Sequence, residues 1–315
     1  MPVSTRDPEA QRWFDQGLAQ LFGFAHEDAI RSFEMTLRLD PSLAIANWGI
    51  AYAYGPNINL GMDPLRASRA NHFLDLAVRQ LQDGDDSAGP LERALVDSLT
   101  VRFSTDKSLE PFGTTSRLPL DQAYWSTMQA AMAAFPNDTN VATLTAEAGL
   151  DLIPWRAWNY NGKPTLPVTD HATPAIPEIP QVKAILEGVM ARELDHIGAL
   201  HYYIHAVEAS QDPELALPAA ARIKSIAWGQ AHLVHAASHI YARVGDWGSA
   251  MVSGNDAIVQ DERYRKRVGT DDLYWIAHGD HNLYFLTSVL ANGGRGRETQ
   301  CGHASSTSGS RLNWP

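Results

Sequence analysis

Seven histidines and one glutamate carry the chemistry this chain could do. His201, His205 and Glu208 fall at i, i+4 and i+7, and His232, His235 and His239 fall at i, i+3 and i+7. On a helix turning about 100° per residue, each set occupies an arc of roughly 60°. Each segment therefore presents one stripe of imidazoles. The pair His201 and His205 recurs 34 residues on as His235 and His239. A third pair, His278 and His281, follows in Ala277-His-Gly-Asp-His-Asn. Imidazoles gathered in a partly dry space have ring N–H and N groups to satisfy, at roughly 1–3 kcal/mol for each one left unmet, and a metal ion satisfies several at once. The competing reading is a wet, histidine-lined groove.

Such stripes need helices that hold them in register. The order Trp13-Phe-Asp-Gln-Gly17, Ala29, Phe33, Asp40-Pro41 resembles the tetratricopeptide repeat, a helix-turn-helix unit of 34 residues. Gly17 and Ala29 let two antiparallel helices approach, Phe33 fills the gap and Pro41 stops the second helix. A second such unit covers Ala231 to Asp261, with Tyr241, Gly245, Trp247, Ala250 and Ala257 at the matching points, and Ile197 to Ala227 fits more loosely. Periodicity and breakers predict helices over 8–22, 26–39, 42–54, 64–83, 90–104, 120–135, 139–152, 180–193, 196–209, 213–226, 230–243, 247–262 and 272–292, with no strand. The expected fold is all-α, a tetratricopeptide-like helical-hairpin solenoid. In the repeat register the histidines sit on the first helix of each unit, which the resemblance places along the concave groove.

Four segments are expected. Residues 1–153 form an N-terminal helical layer and 181–294 the His-rich repeats. Between them, 154–180 holds six prolines together with Trp155, Trp158 and Tyr160, so it reads as a non-helical loop packed on the helices. Beyond Gly293-Gly294, residues 295–315 have the composition of a disordered tail, which suggests a chain cut short of its terminal cap and an uncapped end open to association.

Composition narrows the partners. At 315 residues, 44% hydrophobic and 19% charged, with a formal charge of −11 and a pI near 5.5, the chain can bury a full core and offers no basic stripe for nucleic acid or anionic membrane. A lone Cys301 excludes a disulfide framework and Cys-based metal sites, so any metal is held by His and carboxylate. No leader-like or membrane-spanning apolar run is present, and a cytoplasmic protein is expected. Outside the stripes, Glu147 and Asp151 read as a solvated face, while His26, His72, His171 and His303 read as surface or loop residues and His196 as a residue near a helix start. Walker, GxGxxG, GxSxG and HExxH motifs are absent.

Ala146-Glu-Ala-Gly-Leu-Asp-Leu-Ile-Pro-Trp155, His201-Tyr-Tyr-Ile-His-Ala-Val-Glu-Ala-Ser210, Gly229 to Tyr241 and His281-Asn together resemble a family of microbial tetratricopeptide-like proteins known chiefly as repeat proteins. The resemblance spans most of residues 10–290 and implies no reaction; it also leads us to expect a further histidine where Tyr284 stands. From the residues, the expected metal ligands are His201, His205, His232, His235 and His239, with Glu208, His278 and His281 as acid-base groups. Imidazole ligation suits copper, zinc, iron or nickel over magnesium or calcium. Copper comes first among them, with zinc or iron as alternatives, because nearly carboxylate-free His clusters suit coupled copper chemistry with dioxygen. The leading expectation is thus an oxidoreductase acting on a small molecule or peptide in the groove. A zinc or iron hydrolase with Glu208 as base and a non-enzymatic adaptor that binds a peptide are the other two.

Overall fold

A computed structural model describes residues 1–82, 88–103, 114–165, 179–227, 229–268 and 274–294. The tail at 295–315 and residues 166–178 of the proline-rich loop, with His171, Cys301 and His303, lie outside the described residues. Among the described residues there are thirteen α-helices, one 3-10 turn, one π turn and no strand. The chain divides into two compact units, Met1–Gln211 and Asp212–Pro315, each taken by itself below.

The first unit holds α1 (Pro8–Phe22), α2 (His26–Leu39), α3 (Ala44–Ala53), α4 (Pro64–Gln82), α5 (Pro90–Leu99), α6 (Thr114–Ala134), α7 (Thr139–Asp151), α8 (Ile179–Arg192) and α9 (Ile197–Val207). Their starts are written in the sequence. Asp7 caps α1 by accepting from Glu9 N at 2.7 Å, and Asp138 caps α7 by accepting from Val141 N at 2.9 Å, so both close orphan donors of a first turn. Close packing follows from missing side chains. A Cβ on Gly17 or on Gly49 would stand 2.7 Å from the Phe33 ring, so that ring on α2 fills space that α1 and α3 both leave open. α7 is the inner element: every residue from Val141 to Leu150 is buried, with α6, α8 and α9 packed on it. α9 also reaches α1.

One boundary departs from expectation. α6 begins at Thr114 and takes Pro119 inside it, where the proline suggested a start near 120. The added turn is held from within, because the buried Arg117 donates to Arg102 O at 3.2 Å and to Asp121 Oδ1 at 2.7 Å. Of the aromatic loop, Trp158 docks by donating to Ala206 O at 2.8 Å, whereas Trp155 is largely exposed and Tyr160 wholly so. Packing of all three aromatics was the expectation; Trp158 meets it, Trp155 does so in part through the His205 ring, and Tyr160 does not.

The second unit holds a 3-10 turn (Pro213–Ala216), α10 (Leu217–Ile226), α11 (Ala231–Arg243), α12 (Trp247–Val268), a π turn (Trp275–Gly279) and α13 (Asp280–Asn292). Gly245 ends the α11 turn at φ +81, a backbone region that suits glycine. α12 runs on to Val268 rather than stopping at 262. Its last turn carries Arg265, Lys266 and Arg267, which favour the negative end of the helix dipole, and no breaker intervenes. Asp261 is buried inside this unit, accepting from Asn282 Nδ2 at 2.7 Å and from Tyr274 Oη at 3.1 Å. Burial pushes its carboxyl up to about 7.

Candidate metal centre

In the first unit, the α1–α2 turn and α9 build one candidate group. Phe22 ends α1, so its carbonyl is one of the orphan acceptors of a helix C-terminus. His201 Nδ1 donates to that oxygen at 2.6 Å. One turn along α9, His205 Nδ1 donates to Glu208 Oε1 at 3.0 Å. A carbonyl and a carboxylate only accept, so both Nδ1 atoms carry protons, and in the neutral rings both Nε2 atoms present lone pairs. Those two Nε2 atoms stand 3.0 Å apart. Two acceptors at that distance repel unless a proton or a metal ion lies between them, and imidazoles oriented by a carbonyl or carboxylate behind them are how proteins prepare metal ligands.

The surroundings keep these rings in place. Phe24 takes a left-handed backbone at φ 57, costly for a residue with a Cβ. Its ring meets His201 edge-on at 4.7 Å and stacks on His205 at 6.2 Å. Trp155, also left-handed at φ 56, meets His205 edge-on at 5.6 Å. His201 is fully buried and His205 nearly so.

In the second unit, α11 and α13 bring His235, His239 and His281 together, with one ring nitrogen of each within 4.8 Å of the others. His235 Nε2 and His239 Nε2 lie 2.8 Å apart, and His281 Nε2 lies 3.4 Å from His239 Nε2. Two nitrogens bound to one tetrahedral ion at about 2.0–2.1 Å stand about 3.3 Å apart, so these separations fit a shared ion. Phe285 stacks on His239 at 4.2 Å and meets His235 edge-on at 5.2 Å. His235 is buried, His239 half-buried and His281 exposed, which leaves this group open on one side. The π turn carries His278 against His232, with ring centroids 4.3 Å apart. A π turn shifts the register of a helix and recurs at functional sites.

His281 was expected as an acid-base group, yet its nitrogen stands among those of two expected ligands. Glu208, expected as an acid-base residue, holds the His205 ring. Tyr284 is exposed. His196 caps the start of α9 by accepting from Ala199 N at 3.2 Å, as its position suggested, and burial lowers its pKa. His26, expected at the surface, is buried with Asn57 Nδ2 at 3.4 Å from its Nε2.

The larger correction concerns Glu147 and Asp151. Both side chains are buried on α7. Tyr52 Oη donates to Glu147 and Arg102 to Asp151. The Arg102 guanidinium also lies over the rings of Tyr124 at 4.5 Å and Tyr52 at 5.2 Å. Burial, above all, raises both carboxyls. One signal could have found them: α7 has no Lys, no Arg and no other acidic residue, so it lacks the charges a solvated face would share.

The chain matches no protein-family model, and no curated protein matches it either. Its function therefore rests on this geometry.

Proposed function

We propose that this chain is a metal-dependent enzyme on a tetratricopeptide-like scaffold, with a transition metal held by histidines and copper as the first candidate. The observation that carries the reading is the facing pair of His201 and His205, with both Nδ1 protons committed behind them and Nε2 atoms 3.0 Å apart. The open group of His235, His239 and His281 supports it independently, because three imidazoles leave room at an ion for substrate. Copper in imidazole ligation would supply one-electron chemistry with dioxygen, making the protein an oxidoreductase. The residues present would orient the ligand rings through Phe22 O and Glu208, cover them with Phe24, Trp155 and Phe285, and limit water around the buried pair. The helical pairs, with Phe33 seated between Gly17 and Gly49, support the repeat scaffold.

A hydrolase using Glu208 as base gains less support, since that carboxylate is occupied at His205. An adaptor with a wet groove gains less as well, since His201, His205, His232, His235 and His278 are all buried. Elemental analysis of untagged protein after reconstitution with copper, zinc and iron tests the proposal. Stoichiometric metal that His205→Ala and His239→Ala reduce is the expected result. Substoichiometric metal under every condition would leave the adaptor.

A further inference from the structure

We propose that a cavity in the first unit, beside the buried carboxylates of α7, binds a small organic amine as its ammonium ion and releases one proton in exchange. The cavity measures about 290 Å³; Arg117, Asp121 and Asp151 form its polar side, and Ile58, Met62 and Trp155 lie on its apolar side. That volume suits a ligand of fragment size with an apolar body and one polar end.

The charges decide which polar end. Among the described residues, three carboxylates, those of Asp121, Glu147 and Asp151, share this cluster with two guanidiniums, those of Arg102 and Arg117. Arg117 Nη2 donates to Asp121 at 2.7 Å, Arg102 Nε stands 4.0 Å from Asp121, and Arg102 is paired with Asp151. Tyr52, Tyr124 and Tyr202 around them are neutral phenols, held so by burial. The set lacks one positive charge. A buried uncompensated carboxylate is costly, so Glu147 and Asp151, in hydrogen-bonding reach of each other, hold one proton between them, as close carboxyl pairs do. The other remedy is a cation from outside.

Asp151 is where that cation would dock. Its side chain is 5% exposed and lines the cavity, and among the described residues its Oδ1 has no donor other than the proton it can share with Glu147. An ammonium supplies the missing charge and donates in place of the shared proton, which is then released. A neutral alcohol supplies only the donor. A divalent metal fits less well, because it would bring two positive charges beside Arg102 and Arg117 where the set lacks one. Trp155, largely exposed and lining the cavity, supplies aromatic surface for the body of the amine. The proposal does not depend on a metal at His201 and His205.

Calorimetry with benzylamine tests it, in phosphate and in MOPS at about pH 7, so that the different heats of buffer protonation report proton release. We expect binding with about one proton released, and benzyl alcohol at least tenfold weaker. Trp155→Ala should weaken benzylamine severalfold with proton release retained, and Asp151→Asn should abolish both the release and the preference for the amine. Should Asp151→Asn fail to fold, infrared difference spectra of the native chain decide: benzylamine must remove the band of a protonated carboxyl. Equal binding of the alcohol, no proton release, no binding, or a carboxyl band that persists would each overturn the proposal. So would benzylamine binding that disappears after chelation of metal, which would assign the amine to the histidines instead.

Discussion

Glu208 lies one turn beyond His205 and accepts a hydrogen bond from the Nδ1–H of that ring at 3.0 Å. The carboxylate follows the last residue of α9, so the same chain end that stops the helix fixes the tautomer of its last histidine. In the neutral ring Nε2 of His205 is then an acceptor, turned toward His201.

Glu208→Gln should therefore weaken metal binding by about 10–100-fold without unfolding the chain, since the amide holds the ring less strongly and lowers its basicity. Competition against a chromophoric chelator measures the affinity, and far-ultraviolet circular dichroism checks the helices. Unchanged affinity would mean that Glu208 does not position the ligand.

His239→Ala removes the nitrogen that stands 2.8 Å from His235 and 3.4 Å from His281. In copper-loaded protein supplied with an electron donor, this variant should lose dioxygen uptake and keep its helical signal. A copper-loaded native protein that is inert toward dioxygen would turn the proposal toward zinc or iron.

Asp261 should make stability depend on pH. Its folded-state pKa is raised to about 7 by burial, above its unfolded value near 4. Its contribution is thus fully present below about pH 4 and is lost as pH rises through about 7, by up to about 4 kcal/mol. Asp261→Asn cannot ionise, so denaturation of the two proteins from pH 4 to 8 should show the variant gaining on the native chain. A constant difference across that range would remove the claim.

Phe33 closes the packing of α1, α2 and α3. Phe33→Ala should cost about 3–5 kcal/mol, and Gly17→Val should cost about 1–3 kcal/mol or more, because the added atoms meet the ring. Urea titration monitored by circular dichroism measures both.

Much of this arrangement was legible in the sequence. The 3.6-residue period and stops such as Asp40-Pro41 and Gly245 located most helices, and the His stripes pointed to the residues that the structure groups within each unit. What was hidden depends on tertiary partners. His26 looks like an ordinary helix-start residue until Phe24 and Asn57 fold over it. Pro119 looks like a boundary unless Arg117 is known to anchor the turn before it. Glu147 and Asp151 have the spacing of an exposed acidic pair, and Tyr52 and Arg102, distant in sequence, bury them.

Because α7 has no solvent-facing stretch between Val141 and Leu150, its amides can exchange with water only when the helices around it separate. Its opening is then the opening of the whole first unit rather than a local fluctuation. Any event that changes the charge on Glu147 and Asp151 should alter the slowest exchange rates of that unit, leaving the fast ones at its termini untouched, so the most deeply placed helix would record what reaches the cavity beside it.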